Sequence, residues 1–142
     1  MDSYIRRLQK SMDFIQKKVN TEMLELLPAD ITPPQIMMLY QLYKLGLCKL
    51  SQLADRLQVK PSSITVMIDR LEKAGFVERL ADPNDRRIVL VQLTDKGLDI
   101  IHQTVELREK VMTPLFSDLP EDQLIALVET FEKITKKYED EL

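Results

Sequence analysis

The sequence predicts a mainly α fold with one small β-hairpin, a winged helix-turn-helix built from six helices. Three observations predict it. Apolar residues recur at helical spacing both before and after the middle of the chain. Two short helical segments in the middle are separated by a tight turn at Gln58-Val59-Lys60. The second of them ends at Gly75, and two β-type runs follow at once, joined by Asp82-Pro83-Asn84-Asp85. A length of 142 residues suits one domain with one core and little more.

The first helix is expected over about 3–27. Ile5, Leu8, Met12, Ile15, Val19, Met23 and Leu26 recur at spacings of three and four, close to a heptad. That stripe must sit on a partner, either the rest of the domain or a second subunit. The second helix starts where Thr32 caps it, Pro33 takes the first helical position and Gln35 completes a capping box. It is apolar on nearly every side, which predicts a central buried helix ending at Gly46. Cys48-Lys49-Leu50 is a connector or a minimal strand, after which Ser51 is expected to cap a helix over 52–57. Pro61 opens the next helix, with Ile64, Met67, Ile68 and Leu71 on its inner face.

The β-type runs cover Phe76–Leu80 and Ile88–Leu93. Thr94 caps a long helix with Leu98, Ile101, Val105, Met112 and Leu115 on its apolar stripe, and Gly97 in its first turn permits close packing. Pro114 is expected to kink or end it. Pro120 begins the last helix at Glu121, where Leu124, Leu127, Val128, Phe131, Ile134 and Tyr138 form a further stripe.

Net charge is −3, which taken globally argues mildly against a nucleic-acid partner. By segment the sign changes. Residues 49–93 hold eight Lys/Arg against six Asp/Glu, a net of +2, and the remainder holds twelve against seventeen. A modest DNA-facing segment on an acidic scaffold fits that asymmetry. No apolar run approaches the roughly 18 residues needed to span a bilayer, so no membrane partner is expected. The charged opening MDSYIRRLQKSMDF lacks the apolar core of a signal peptide, and the single Cys48 fits a reducing compartment. A cytoplasmic location is the expectation.

The stretch LSQLADRLQVKPSSITVMIDRLEKAGFVERLADPNDRRIVLVQLTDKG closely resembles the multiple-antibiotic-resistance regulator (MarR) family. LADRL, a turn and S-x-x-x-V-x-x-x-R-L-E-K-x-G carry the helix-turn-helix, G-x-V-E-R the first wing strand, and D-P-x-D-R-R with L-T-x-x-G the wing and its exit. The specific part runs from Leu50 to Gly97, although the likeness extends over nearly the whole chain. It implies a homodimeric, sequence-specific transcription regulator, a repressor of a pseudo-palindromic operator, with relief by a small phenolic or lipophilic ligand as in many members. By the same resemblance 1–30 and 98–142 are dimerisation helices and 31–97 the winged unit. The helix-turn-helix lies within 50–74 and the wing within 76–93.

Expected DNA contacts on the recognition helix are Pro61, Ser62, Ser63, Thr65, Val66 and Arg70. The short hydroxyls fit close to bases or phosphates, the free N–H groups of a helix start favour phosphate, and Arg70 suits a phosphate. Val66 departs from many relatives, which carry Arg or another polar residue there; it can meet a thymine methyl but cannot hydrogen-bond guanine. On the wing the expected contacts are Asn84, Asp85, Arg86 and Arg87, whose guanidiniums suit a narrow minor groove. The resemblance favours Arg87 as the insert, with Asp85 orienting it or another wing arginine. One His and one Cys without convergent partners give no metal site and no catalytic pair, so neither enzyme activity nor a cofactor is expected. His102 is read as a surface or interface residue or as lining an effector pocket. Cys48 is read as buried and inert, and Met12, Met37, Met38 and Met112 as core filling or an adaptable pocket wall. The rival readings are a winged helix used for protein–protein contact and a redox switch through Cys48.

Overall fold

The computed structural model describes residues 2–139, so the ends of the expected dimerisation segments, at Met1 and 140–142, lie outside the described residues. The elements run α1 (Asp2–Leu26), α2 (Pro33–Leu45), β1 (Cys48–Lys49), α3 (Leu50–Leu57), α4 (Pro61–Lys73), β2 (Val77–Ala81), β3 (Val89–Leu93), α5 (Asp95–Phe116) and α6 (Glu121–Thr135). The strands form one antiparallel sheet in the order β1-β3-β2. Cys48 stands opposite Val91, and Val77 opposite Leu93. None of the described helices is long and apolar enough to cross a membrane.

Local chemistry explains the element ends. At α2 the Thr32 N–H donates to Gln35 Oε1 (2.9 Å) and the Gln35 N–H to Thr32 Oγ1 (3.4 Å), the capping box read from the sequence. Gly46, at φ 68°, closes that helix by donating its N–H to the Leu42 carbonyl at 2.8 Å. At α3 the cap is not Ser51. Lys49 is held extended by pairing with Leu90, so the chain turns helical at Leu50 and Ser51 falls inside the first turn. The Lys49 N–H instead donates to Gln52 Oε1 (2.8 Å).

Two clusters form the interior. The larger joins α2, α3, α4, the sheet and the start of α5 through Leu39, Leu42, Leu53, Ile64, Ile68, Leu71, Phe76, Val91 and Ile101. The smaller joins α1 to the later part of α5 through Val19, Met23 and Val111. Three expectations change accordingly. The second helix is not buried all round: Met38, Leu39 and Leu42 are inside, whereas Met37, Tyr40 and Tyr43 are exposed, because α2 packs on α5 and β3 along one side only. The stripe of α5 shifts phase, burying Ile100 and Ile101 in the first cluster and Val111 in the second, and leaving Val105 outside. Pro114 does not stop that helix, which continues to Phe116 before Ser117 donates its hydroxyl to the Pro114 carbonyl (3.1 Å).

The apolar stripes of the terminal helices are only partly covered within one chain. Ile5, Leu8 and Met12 of α1 are exposed, as are Val128, Phe131 and Ile134 of α6, which has no buried residue at all.

Candidate nucleic-acid interface

Helix α4, the expected recognition helix, is held from behind by Ile64, Ile68 and Leu71, which the helical period places on its inner side and the core buries completely. That leaves Pro61, Ser62, Ser63, Thr65, Val66 and Arg70 exposed together on its outer surface, the juxtaposition expected from the sequence. The Thr65 hydroxyl donates to the Pro61 carbonyl (3.1 Å), which leaves its remaining acceptor capacity and its methyl on the open surface. Arg70 forms no ion pair among the described residues, and its cation is presented to solvent.

Two carboxylates on the same helix would repel a phosphate backbone if left alone. Both are occupied. The Arg79 guanidinium on β2 donates to Asp69 Oδ1 at 2.5 Å and to Glu72 Oε1 at 2.9 Å, while the Arg79 N–H donates to Glu72 Oε2 at 3.1 Å. Arg79 thus offsets one of the two negative charges and braces α4 against the first wing strand. This brace was not singled out in the sequence. Its only signal there is an Asp and a Glu three apart on one helix face, followed by an Arg in the next strand.

The far end of α4 is closed from α5. The Thr94 hydroxyl donates to the Gly75 carbonyl (2.6 Å) and Lys96 Nζ to the Ala74 carbonyl (2.7 Å), satisfying acceptors that a helix terminus leaves open. Gly75 itself sits at φ 84°, where a side chain is strained. Close contact between Gly97 and Phe76 locks the same corner: a Cβ at Gly97 would lie 2.2 Å from the Phe76 carbonyl oxygen.

The wing tip is built by Asp82, whose Oδ1 accepts the N–H groups of Asn84 (2.7 Å) and Asp85 (3.3 Å). Asp85 in turn accepts from Arg87 three times, from its N–H and Nε through Oδ1 and from Nη2 through Oδ2. Those bonds hold the Asp85 carboxyl below its usual range and fix the Arg87 side chain, which still stands 90% exposed. Arg86 beside it is exposed and forms no ion pair among the described residues.

The other candidates separate from this surface. Cys48 is buried in β1, and burial pushes its thiol up, keeping it protonated. His102 is exposed and meets Tyr43 edge-on at 6.1 Å. Met38 is buried and Met112 half-buried, but Met12 and Met37 are exposed and do not fill the core of the single chain.

The MarR family model matches residues 31–89, the span that contains this surface. The transcriptional repressor MdtR of Bacillus subtilis is 32% identical over 139 residues, covering 97% of this chain and 90% of that protein. The chain belongs to the MarR family of transcriptional regulators. Among solved structures, YusO of Bacillus subtilis superposes with a TM-score of 0.80 at 31% identity, covering 96% of this chain and 97% of that one. The apo form of MarR from E. coli gives 0.73 at 32% identity over 89% and 95% of the two chains. A cysteine-to-serine mutant of the same protein complexed with operator DNA gives 0.60 at 31% identity over 94% and 97%.

Proposed function

We propose that this MarR-family regulator is a homodimeric repressor that binds a pseudo-palindromic operator, laying α4 of each subunit in a major groove and its wing along the adjacent minor groove. One observation carries the reading: α4 exposes hydroxyls, Val66 and an unpaired Arg70 together, while Arg79 ties down the two acids and offsets part of their charge. In the dimer Ser62, Ser63, Thr65 and Val66 approach base edges, Pro61 opens the helix whose free N–H groups meet phosphate, and Arg70 grips phosphate. Arg87, oriented by Asp85, enters the minor groove with Arg86 and Asn84 at its rim.

Dimerisation follows from the uncovered stripes of α1 and α6, which one chain leaves in water and a two-fold partner buries. Residues 1–30 and 98–142 serve as this interface and 31–97 as the reader. The similarity of the operator-bound relative supports the DNA reading, and the repressor name of MdtR supports the sign of regulation. A small phenolic or lipophilic effector acts by favouring a spacing of the two recognition helices that does not fit the operator. An open cleft of about 260 Å³ lies between Leu26, Leu27 and Pro28 and α5, and charged Glu106 and Lys110 line it as well as Ile100 and Leu107, so it is not a closed apolar pocket. His102 is not among the residues lining it.

Selection of bound fragments from genomic DNA, followed by fluorescence anisotropy on the selected duplex, tests the reading. Arg70→Ala and Arg87→Ala should each weaken binding and flatten the plot of log affinity against log salt by about one contact. Unchanged duplex affinity at low salt in both variants would leave the winged helix as a protein–protein module instead.

A further inference from the structure

Beyond Pro61 at its first position, Val66 is the one apolar side chain left in the open on the exposed surface of α4, at 52% exposure. It makes no contribution to the core, since α4 packs on α3 and β2 through its opposite side. Its neighbours on that surface, three and four residues away, are Ser62, Ser63, Asp69 and Arg70. Asp69 is tied down by Arg79, and the Thr65 hydroxyl proton is given to the Pro61 carbonyl. The first two turns of the helix therefore carry no guanidinium, ammonium or amide with which to grip guanine or adenine in two places at once. What they offer at their centre is a branched hydrocarbon. A β-branched side chain in a helix has one strongly preferred χ1 rotamer, so its two methyls are held in place before any ligand arrives.

The major groove displays a single apolar group that such a surface can recognise, the C5-methyl of thymine. Resting on the reading of α4 as the helix that enters the major groove, we propose that Val66 packs against a thymine methyl in each half-site and sets the base preference there. Its specificity is that of hydrocarbon contact, and affinity comes from the flanking cations. Ser62 and Ser63 lie one turn earlier and close the contact from the helix start, where water would otherwise reach the methyl.

The test uses the purified full-length protein and a duplex selected from a random library. Each thymine of the selected site is replaced in turn by deoxyuridine, which lacks only the C5-methyl. We expect one thymine per half-site at which the replacement weakens binding about fourfold, the worth of one buried carbon of this kind. Val66→Ala should bind the thymine duplex as weakly as the native protein binds that deoxyuridine duplex, and should show no further loss when the methyl is removed. Circular dichroism of Val66→Ala checks that the helix is intact, as expected for an exposed site where alanine is the better helix former. The proposal is overturned if deoxyuridine is tolerated within twofold at every position, or if Val66→Ala still discriminates thymine from deoxyuridine. Failure of the DNA reading itself looks different: no duplex is selected at all, and Arg70→Ala changes nothing at low salt, in which case this proposal falls with it.

Discussion

Gly97→Ala sets two physical effects against each other. Gly97 lies in the first turn of α5, and in a helix alanine is favoured over glycine by about 1 kcal/mol. Propensity alone predicts a more stable protein. Packing predicts the opposite, because the new Cβ would stand 2.2 Å from the Phe76 carbonyl oxygen. Real contacts of this type do not fall under 3.0 Å, so the helix start and the entrance to β2 must separate by at least 0.8 Å. The obstacle is backbone, and no side-chain rotamer relieves it. Phe76 is buried, and its carbonyl also accepts the Thr94 N–H at 3.1 Å, so the shift strains the cap of α5 as well. Overpacking of this kind costs about 1–3 kcal/mol, and the upper part of that range outweighs the propensity gain. A net loss of about 1–2 kcal/mol should lower Tm by roughly 2–8 °C in a chain of this size. Urea denaturation followed by far-UV circular dichroism, at one protein concentration for both proteins, reads the effect. A midpoint equal to or above that of the native protein would refute the reasoning.

Arg79→Ala should weaken duplex binding more than it destabilises the fold. The pairs are partly exposed and worth roughly 0–1 kcal/mol each, but their loss bares two carboxylates on the helix proposed to meet phosphate; paired anisotropy and denaturation measurements separate the two losses. Asp85 should titrate at higher pH in Arg87→Ala, by carboxyl-detected NMR. The depressed native pKa means that the Arg87–Asp85 bonds stabilise the wing above the ordinary Asp range and are lost as pH falls through the native value. Cys48 should react with a thiol reagent far more slowly in the native protein than in urea, and Cys48→Ser should leave DNA binding insensitive to peroxide in the same way as the native protein; release of the native protein alone would reinstate the redox switch.

Much of the architecture is written in local signals. Thr32, Pro33 and Gln35 announce α2, Gly46 and Gly75 mark helix stops, and the turn at 82–85 announces the hairpin. Those features need only neighbours in sequence. What escaped reading depends on partners further off. The cap of α3 moved from Ser51 to Lys49 because β1 pairs with β3, forty residues on in the chain. The stripe of α5 is not a single stripe, since its start packs on the reader core and its later turns on α1. The Arg79 brace joins a helix to a strand and has no periodic signature. The residues on the outer surface of α4 were legible for a simpler reason: once Ile64, Ile68 and Leu71 are assigned inward, the helical period leaves little choice for the rest.

The bonds from Thr94 and Lys96 to the end of α4 have a mechanical consequence. They join α4 to α5 at the end remote from Ser62, so the thirteen residues of α4 lie on a lever arm measured from Gly75. At 1.5 Å per residue that lever is about 20 Å long, and a tilt of about 5° at the fulcrum carries its tip through roughly 1.7 Å. A displacement of that size takes a side chain from contact with a base edge to outside hydrogen-bond range. Because Ile64, Ile68 and Leu71 seat α4 in the core and Arg79 ties it to β2, such a rotation has to carry the core and the wing strand with it, so the reader turns as one body about that corner with no element needing to melt.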